Sequence, residues 1–132
     1  MEQRKPPVPD CPCASGRAYA TCCAPLHQGA PAASPEALMR SRYAAYVLKR
    51  TSYLLATWDR SPRPACLAWD EMPDQWLGLQ ILAAPAALAD VGEVEFVARY
   101  RKNGRAGRLH ERSRFVRRAG RWYYLDGSFL SA

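Results

Sequence analysis

The chain has 132 residues, 48% apolar, 23% charged and 11% aromatic. This fits one compact domain with a small appendage and excludes a fibrous or wholly disordered protein. Its longest apolar run, Ile81 to Ala89, is broken by Pro85 and is far shorter than the ~18 to 20 residues that cross a bilayer. Nineteen basic residues against twelve acidic ones give a formal charge of +7, and the excess is local. Ten basic residues and one acid, Glu111, fall between Arg99 and Arg121, against nine and eleven in the rest. The leading Met1-Glu2-Gln3-Arg4-Lys5-Pro6-Pro7 has no apolar stretch behind its basic residues. It does not read as a secretory signal, and a cytoplasmic location is expected.

Four of the five cysteines, Cys11, Cys13, Cys22 and Cys23, lie within thirteen residues, and Cys66 is alone. An odd count without a signal peptide argues against a disulfide framework and for a metal. Four thiolates around Zn²⁺, each ~2.3 Å from the ion, close a structural site. Ser15 and Gly16 supply the reversal that brings the two pairs together. Arg4, Lys5 and Arg17 offset the cluster's negative charge. The run Cys11-Pro12-Cys13-Ala14-Ser15-Gly16, followed by Tyr19 and Cys22-Cys23, resembles the SEC-C motif, the zinc-binding segment known from the SecA translocation ATPase. The resemblance makes Cys11, Cys13, Cys22 and Cys23 its ligands, the last being His in many members. Ala14 stands where Gly is usual and costs roughly 1 kcal/mol if that position needs a positive φ. Residues 1 to 30 are thus read as a zinc-binding segment whose folding and ion binding are one event.

Pro31-Ala32-Ala33 reads as a linker into a second unit, residues 31 to 132. Ser34 caps a helix with Pro35 at its first position, running to about Arg50. Met39, Tyr43, Tyr46 and Val47 give it an apolar stripe. Thr51 or Ser52 starts a short helix through Trp58, and Pro64 to Glu71 reads as a third, with Cys66 packed as a small apolar side chain. Alternation then takes over: Leu77, Leu79 and Ile81; Val94 to Tyr100; Leu109 to Phe115; Trp122 to Asp126. Asn103-Gly104 and Ala119-Gly120 mark turns between strands. The fold class is α+β, with three N-terminal helices packed on a curved antiparallel sheet.

A wider resemblance covers nearly the whole chain. Cys22-Cys23-Ala24-Pro25-Leu26-His27, Leu38 to Tyr46, His110 to Phe115 and Gly120 to Gly127 are similar to the YchJ family of bacterial proteins. Those proteins join a SEC-C motif to a nuclear-transport-factor-2-like (NTF2-like) domain, a cone of helices over a bent sheet that encloses a pocket. The resemblance implies fold and metal and no particular reaction.

The turns suggest a register. With Arg101 facing Arg108, Tyr100 opposes Leu109, Ala98 opposes Glu111, Phe96 opposes Ser113 and Val94 opposes Phe115, so the apolar partners share a face. Glu95 and Arg114 form an outer charge pair beside His110 and Arg112. With Arg118 and Arg121 flanking a two-residue turn, Phe115 opposes Tyr124 and Ser113 opposes Asp126. Glu111, Ser113 and Asp126 then meet on the inner face, lining a pocket with Arg42, Tyr43, Tyr46, Phe96 and Trp122. Two carboxylates there can act as acid and base, or simply bond to Arg42, a tyrosine hydroxyl or the backbone.

Three functions remain open. The leading expectation is a non-catalytic zinc-binding module that contacts a protein or ribosomal partner, as the SEC-C resemblance implies. The second is a small-molecule-binding or enzymatic pocket of isomerase or dehydratase type. The third is nucleic-acid binding through the basic segment 99 to 121.

Overall fold

A computed structural model describes residues 10–130, so Arg4 and Lys5 lie outside the described residues. Among the described residues three α-helices, α1 (Ala24–His27), α2 (Pro35–Leu48) and α3 (Thr51–Ala56), precede four strands: β1 (Gln75–Ala83), β2 (Val91–Lys102), β3 (Arg105–Arg118) and β4 (Arg121–Phe129). The strands form one antiparallel sheet in the order β1-β2-β3-β4. The fold is α+β as expected.

Helix α2 begins as the sequence implies. Ser34 Oγ accepts the Ala37 amide at 3.1 Å, Pro35 occupies the first turn, and Lys49 ends the helix in the left-handed region. Its two sides face different neighbours. Leu38, Met39 and Tyr43 join Val94, Phe96, Ala98, Phe115 and Trp122 in the main core, while Ala44 packs among the four cysteines. The third expected helix does not form: between Pro64 and Glu71 there is only a 3₁₀ turn, Trp69–Glu71. None of residues 61–71 is fully buried, and a short helix without a packed face gains too little to offset nucleation. Cys66 is accordingly exposed, not packed.

The β2–β3 register differs by two residues from the one expected. Lys102 pairs with Arg105 around Asn103-Gly104, both central residues having positive φ, the geometry of the tightest hairpin turn. Tyr100 therefore opposes Gly107, Ala98 opposes Leu109, Phe96 opposes Glu111 and Val94 opposes Ser113. An even shift keeps every side chain on its face, so the inner apolar face survives the correction. In β1 a bulge between Trp76 and Gly78 turns Leu77 outward, and Trp76, Leu79 and Ile81 pack on the core.

The β3–β4 turn pairs Arg118 with Arg121 and Phe115 with Tyr124, as expected. Leu125 is then bulged, so Arg114 faces Asp126 and Ser113 faces Gly127. This one extra residue moves Asp126 to the outer face, where its carboxylate accepts from Arg114 Nε at 2.6 Å. In the β2–β3 register Glu95 faces Arg112, not Arg114, and it pairs with His110 at 2.8 Å and Arg112 at 3.2 Å.

Candidate functional site

The cysteine knuckle is a short double reversal. Asp10 bridges to Ala18, and the Cys11 amide donates to Arg17 O at 2.8 Å. Ala14 has φ 65° and Gly16 φ 83°, so the position where Ala replaces the usual Gly does need the left-handed region. The four Sγ atoms lie within 4.8 Å of one another and all four residues are buried. Cys13 and Cys22 are 3.5 Å apart and Cys22 and Cys23 3.9 Å. A tetrahedral ion with metal–sulfur bonds of about 2.3 Å has sulfur–sulfur edges of about 3.8 Å, close to these two distances, so the donor set fits a cation held by four thiolates. All four cysteines are unbridged.

Second contacts support the same chemistry. Ser15 Oγ lies 3.1 Å from Cys22 Sγ, and Arg17 Nη2 donates to that sulfur at 3.6 Å, which puts one expected counter-charge in place. Hydrogen bonding with Cys23 lowers Cys13 to about 4, burial raises Cys11, and Cys23 is driven far up by its bond to Cys13 and by burial. Packed thiols cannot all ionise together unless a cation shares their charge.

The knuckle is anchored on α2. Arg40 Nη1 donates to Cys13 O at 2.8 Å. His27 Nε2 donates to Ser41 O at 2.8 Å, which leaves Nδ1 to accept from the Tyr19 hydroxyl at 2.7 Å. Burial lowers the His27 pKa, consistent with that neutral tautomer.

On the opposite side of α2 a cavity of about 490 Å³ opens between the helix, Trp58 and the inner face of the sheet. That volume is within the range of small-molecule sites. Arg42, Tyr43, Tyr46, Phe96, Glu111 and Ser113 all line it, as the sequence reading expected. Trp122 does not: it is 5% exposed in the core, with the Arg117 guanidinium 5.0 Å from its ring centroid. Asp126 is excluded by the bulge. The pocket holds one buried carboxylate where the regular register gave two.

Glu111 Oε2 accepts from Ser113 Oγ at 2.5 Å and from the Tyr124 hydroxyl at 3.2 Å. Burial first, and the Glu111 charge second, raise the Tyr124 pKa, so it stays a phenol and donates. Glu111 lies flat on the backbone of β4 because Gly127 has no side chain; a Cβ there would run into the carboxylate. Arg42, 5% exposed, donates through Nη1 to Leu54 O at 2.7 Å and Thr57 Oγ1 at 2.6 Å. Its guanidinium carbon is 5.2 and 4.8 Å from the ring centroids of Trp58 and Tyr124. Burial pulls the Arg42 pKa down, and the neighbouring phenols and Glu111 oppose it.

Trp58, Trp76, Tyr100 and Tyr124 line the cavity without having been singled out. Tyr124 was within reach, since its partner Phe115 was correctly paired. Trp58 carried no local signal. It is set by two long-range bonds, Asp59 N to Tyr124 O at 2.7 Å and Tyr124 N to Thr57 O at 2.8 Å. Asp59, 1% exposed, locks that junction by accepting from Arg118 Nε and Ser61 Oγ, and Arg118 foremost holds its carboxyl down at about 2.

A four-cysteine knuckle docked on a helix that also walls a sheet-backed pocket defines a SEC-C motif carried by an NTF2-like domain. Family comparison finds the same two parts: "SEC-C motif" over residues 10–25 and "YchJ, middle NTF2-like domain" over residues 34–127. The chain belongs to the YchJ family, whose relatives carry the name UPF0225 protein. One from Xanthomonas campestris is 52% identical over 122 residues, covering 91% of this chain and 95% of the relative. One from Polaromonas naphthalenivorans is 56% identical over 111 residues, covering 83% and 80%. A solution structure of a SEC-C motif containing protein from Rhodopseudomonas palustris is 43% identical with a TM-score of 0.82, covering 92% and 98%. A crystal structure of another from Psychrobacter arcticus is 28% identical with a TM-score of 0.74, covering 92% and 83%. No described helix is long and apolar enough to cross a membrane.

Proposed function

We propose that this protein is a non-catalytic small-molecule-binding module stiffened by a structural zinc ion. The cavity of about 490 Å³ carries the reading, because it combines an aromatic wall with two buried charged side chains, Arg42 and Glu111. The one buried carboxylate is already hydrogen-bonded by Ser113 and Tyr124, and the other acid of the lining, Glu71, is exposed, so the cavity holds no buried pair of acids for proton transfer. The knuckle supports the domain from behind: its sulfurs are buried against α2 and offer a partner no direct contact. Zinc is the ion that four thiolates in closed tetrahedral array best suit.

Thermal-shift screening of a metabolite library on metal-loaded protein tests the pocket. At least one compound should raise the melting temperature of wild type more than that of Glu111→Gln. If no compound does, the pocket reading fails. Elemental analysis should return one zinc per chain, and stoichiometric iron in its place would overturn the metal.

A second reading has its own observation. Arg99 and Arg108 oppose each other on the outer face, with Arg101 two pairs further on, and none has a carboxylate partner among the described residues. Directly opposed like charges are unfavourable and favour a polyanion such as ribosomal RNA, which would also serve the ribosomal partner the motif implies. Affinity for RNA should fall steeply with salt and with neutralisation of these three arginines; millimolar binding at low salt would rule it out.

A further inference from the structure

Resting on the pocket reading above, we infer that the pocket takes a neutral, flat ligand whose head group carries one hydrogen-bond donor and one acceptor side by side, as an amide or lactam does. Four charged residues line the cavity, Arg42, Glu71, Lys102 and Glu111, and the two that are buried, Arg42 and Glu111, each keep bonding capacity the protein does not use. Arg42 spends Nη1 on Leu54 O and Thr57 Oγ1; apart from the Tyr46 hydroxyl, which the guanidinium also engages, its Nε and Nη2 have no protein partner among the described residues. Glu111 accepts two hydrogen bonds at Oε2, and its Oε1 has no partner among the described residues. The two groups are not in ion-pair contact with each other. The cavity therefore offers a donor and an acceptor that await a molecule able to answer both.

Charge decides which molecule. The two basic and two acidic residues of the lining cancel at the scale of the cavity, so an anion meets Glu111 and a cation meets Arg42, and neither gains net field. An ionised head would also give up its hydration to walls made largely of Tyr43, Tyr46, Trp76, Phe96 and Phe115. An amide loses far less on leaving water and satisfies both protein groups with charge-assisted bonds. The ring-lined remainder of the cavity selects a planar apolar body, which edge and face contacts with aromatic side chains hold.

Calorimetric titration of the metal-loaded full chain with indole-3-acetamide, indole-3-acetate and tryptamine tests this, since the three share a ring and differ in head charge. The amide should bind about tenfold or more tighter than either ionised probe. In Glu111→Gln, Arg42 becomes the only charge of the pair, and the preference should move toward the acetate by about tenfold, a change of sign that mere loosening of the fold does not produce. Should that variant fail to fold, the wild-type ranking stands as the test by itself. Acetate or tryptamine binding as tightly as the amide overturns the head-group inference and leaves the pocket. Silence from all three probes while the metabolite library still shifts the protein overturns the inference alone; silence in both overturns the pocket reading as well.

Discussion

The knuckle at residues 10–23 and the sheet at residues 75–129 both bury their centres, but with different atoms. In the knuckle the buried set is four sulfurs and one helical alanine, Ala44, with Tyr19 packed alongside. In the sheet domain it is eight apolar side chains from Leu38 to Trp122, seven of them larger than alanine. Carbon burial is paid back by water at roughly 25 cal/mol per Å², whereas sulfurs crowded this closely repel once ionised and hold only around a cation. On the proposed metal reading one region is conditional on an ion and the other is not. They meet on α2, whose two sides serve one region each.

Removing the metal should break the comparison most sharply. Structural zinc in comparable peptides contributes ~10 to 16 kcal/mol in apparent terms, so chelation or Cys13→Ser should abolish amide protection over residues 10–28 in hydrogen exchange. The sheet should keep most of its protection; its simultaneous loss would mean that the two regions are one cooperative unit. Phe115→Ala, in the centre of the apolar region, should cost about 3 to 5 kcal/mol in chemical denaturation with the metal still bound. A cost under about 1 kcal/mol would show that the neighbouring cavity lets the site collapse.

Gly127→Ala sharpens the picture at the pocket. The new methyl collides with the Glu111 carboxylate, and the expected loss is about 1 to 3 kcal/mol, together with weakened binding of any pocket ligand; unchanged stability would place the carboxylate elsewhere. Asp59 provides an acid test. Its folded pKa is lowered from 3.8 to about 2, with Arg118 the largest cause, so its contribution is whole above about pH 4 and disappears as pH falls toward 2. Asp59→Asn should lower stability at neutral pH and flatten that acid limb, and an unchanged limb would assign it to other groups. The smallest effect is expected at Ala14. Its φ of 65° makes Ala14→Gly stabilising by up to about 1 kcal/mol in the metal-loaded form, and a loss would mean that the alanine methyl makes a contact worth more than the strain.

The clustering of the four cysteines was legible, because residues within a thirteen-residue span report their geometry through local spacing. So were α2 and the β3–β4 turn, where Ser34-Pro35 and Ala119-Gly120 act through nearest neighbours, while Asn103-Gly104 marked the place of the β2–β3 turn but not its tightness, which left the register two residues off. The pocket was legible only as far as strand alternation carried: Glu111, Ser113 and Phe96 follow from parity, and parity survives an even register shift. Asp126 failed because nothing local announces that Leu125 is bulged. Trp58 failed because its place depends on bonds to Tyr124, and the Asp59–Arg118 pair joins residues 59 positions apart. The helix expected at Pro64 to Glu71 failed for want of a core to pack on, which propensity cannot foresee.

The Leu125 bulge has a consequence for how this gene can drift. Loss of codon 125 would leave Asp126 opposite Arg114 and Gly127 opposite Ser113, a seamless ladder with its lining preserved. Loss of the adjacent codon, for Asp126, would put a leucine in the solvent-facing slot and strip Arg114 of its counterion. Neighbouring deletions that are equivalent to a polymerase are thus far from equivalent to selection, and length variation among descendants of this gene should concentrate at the first of the two.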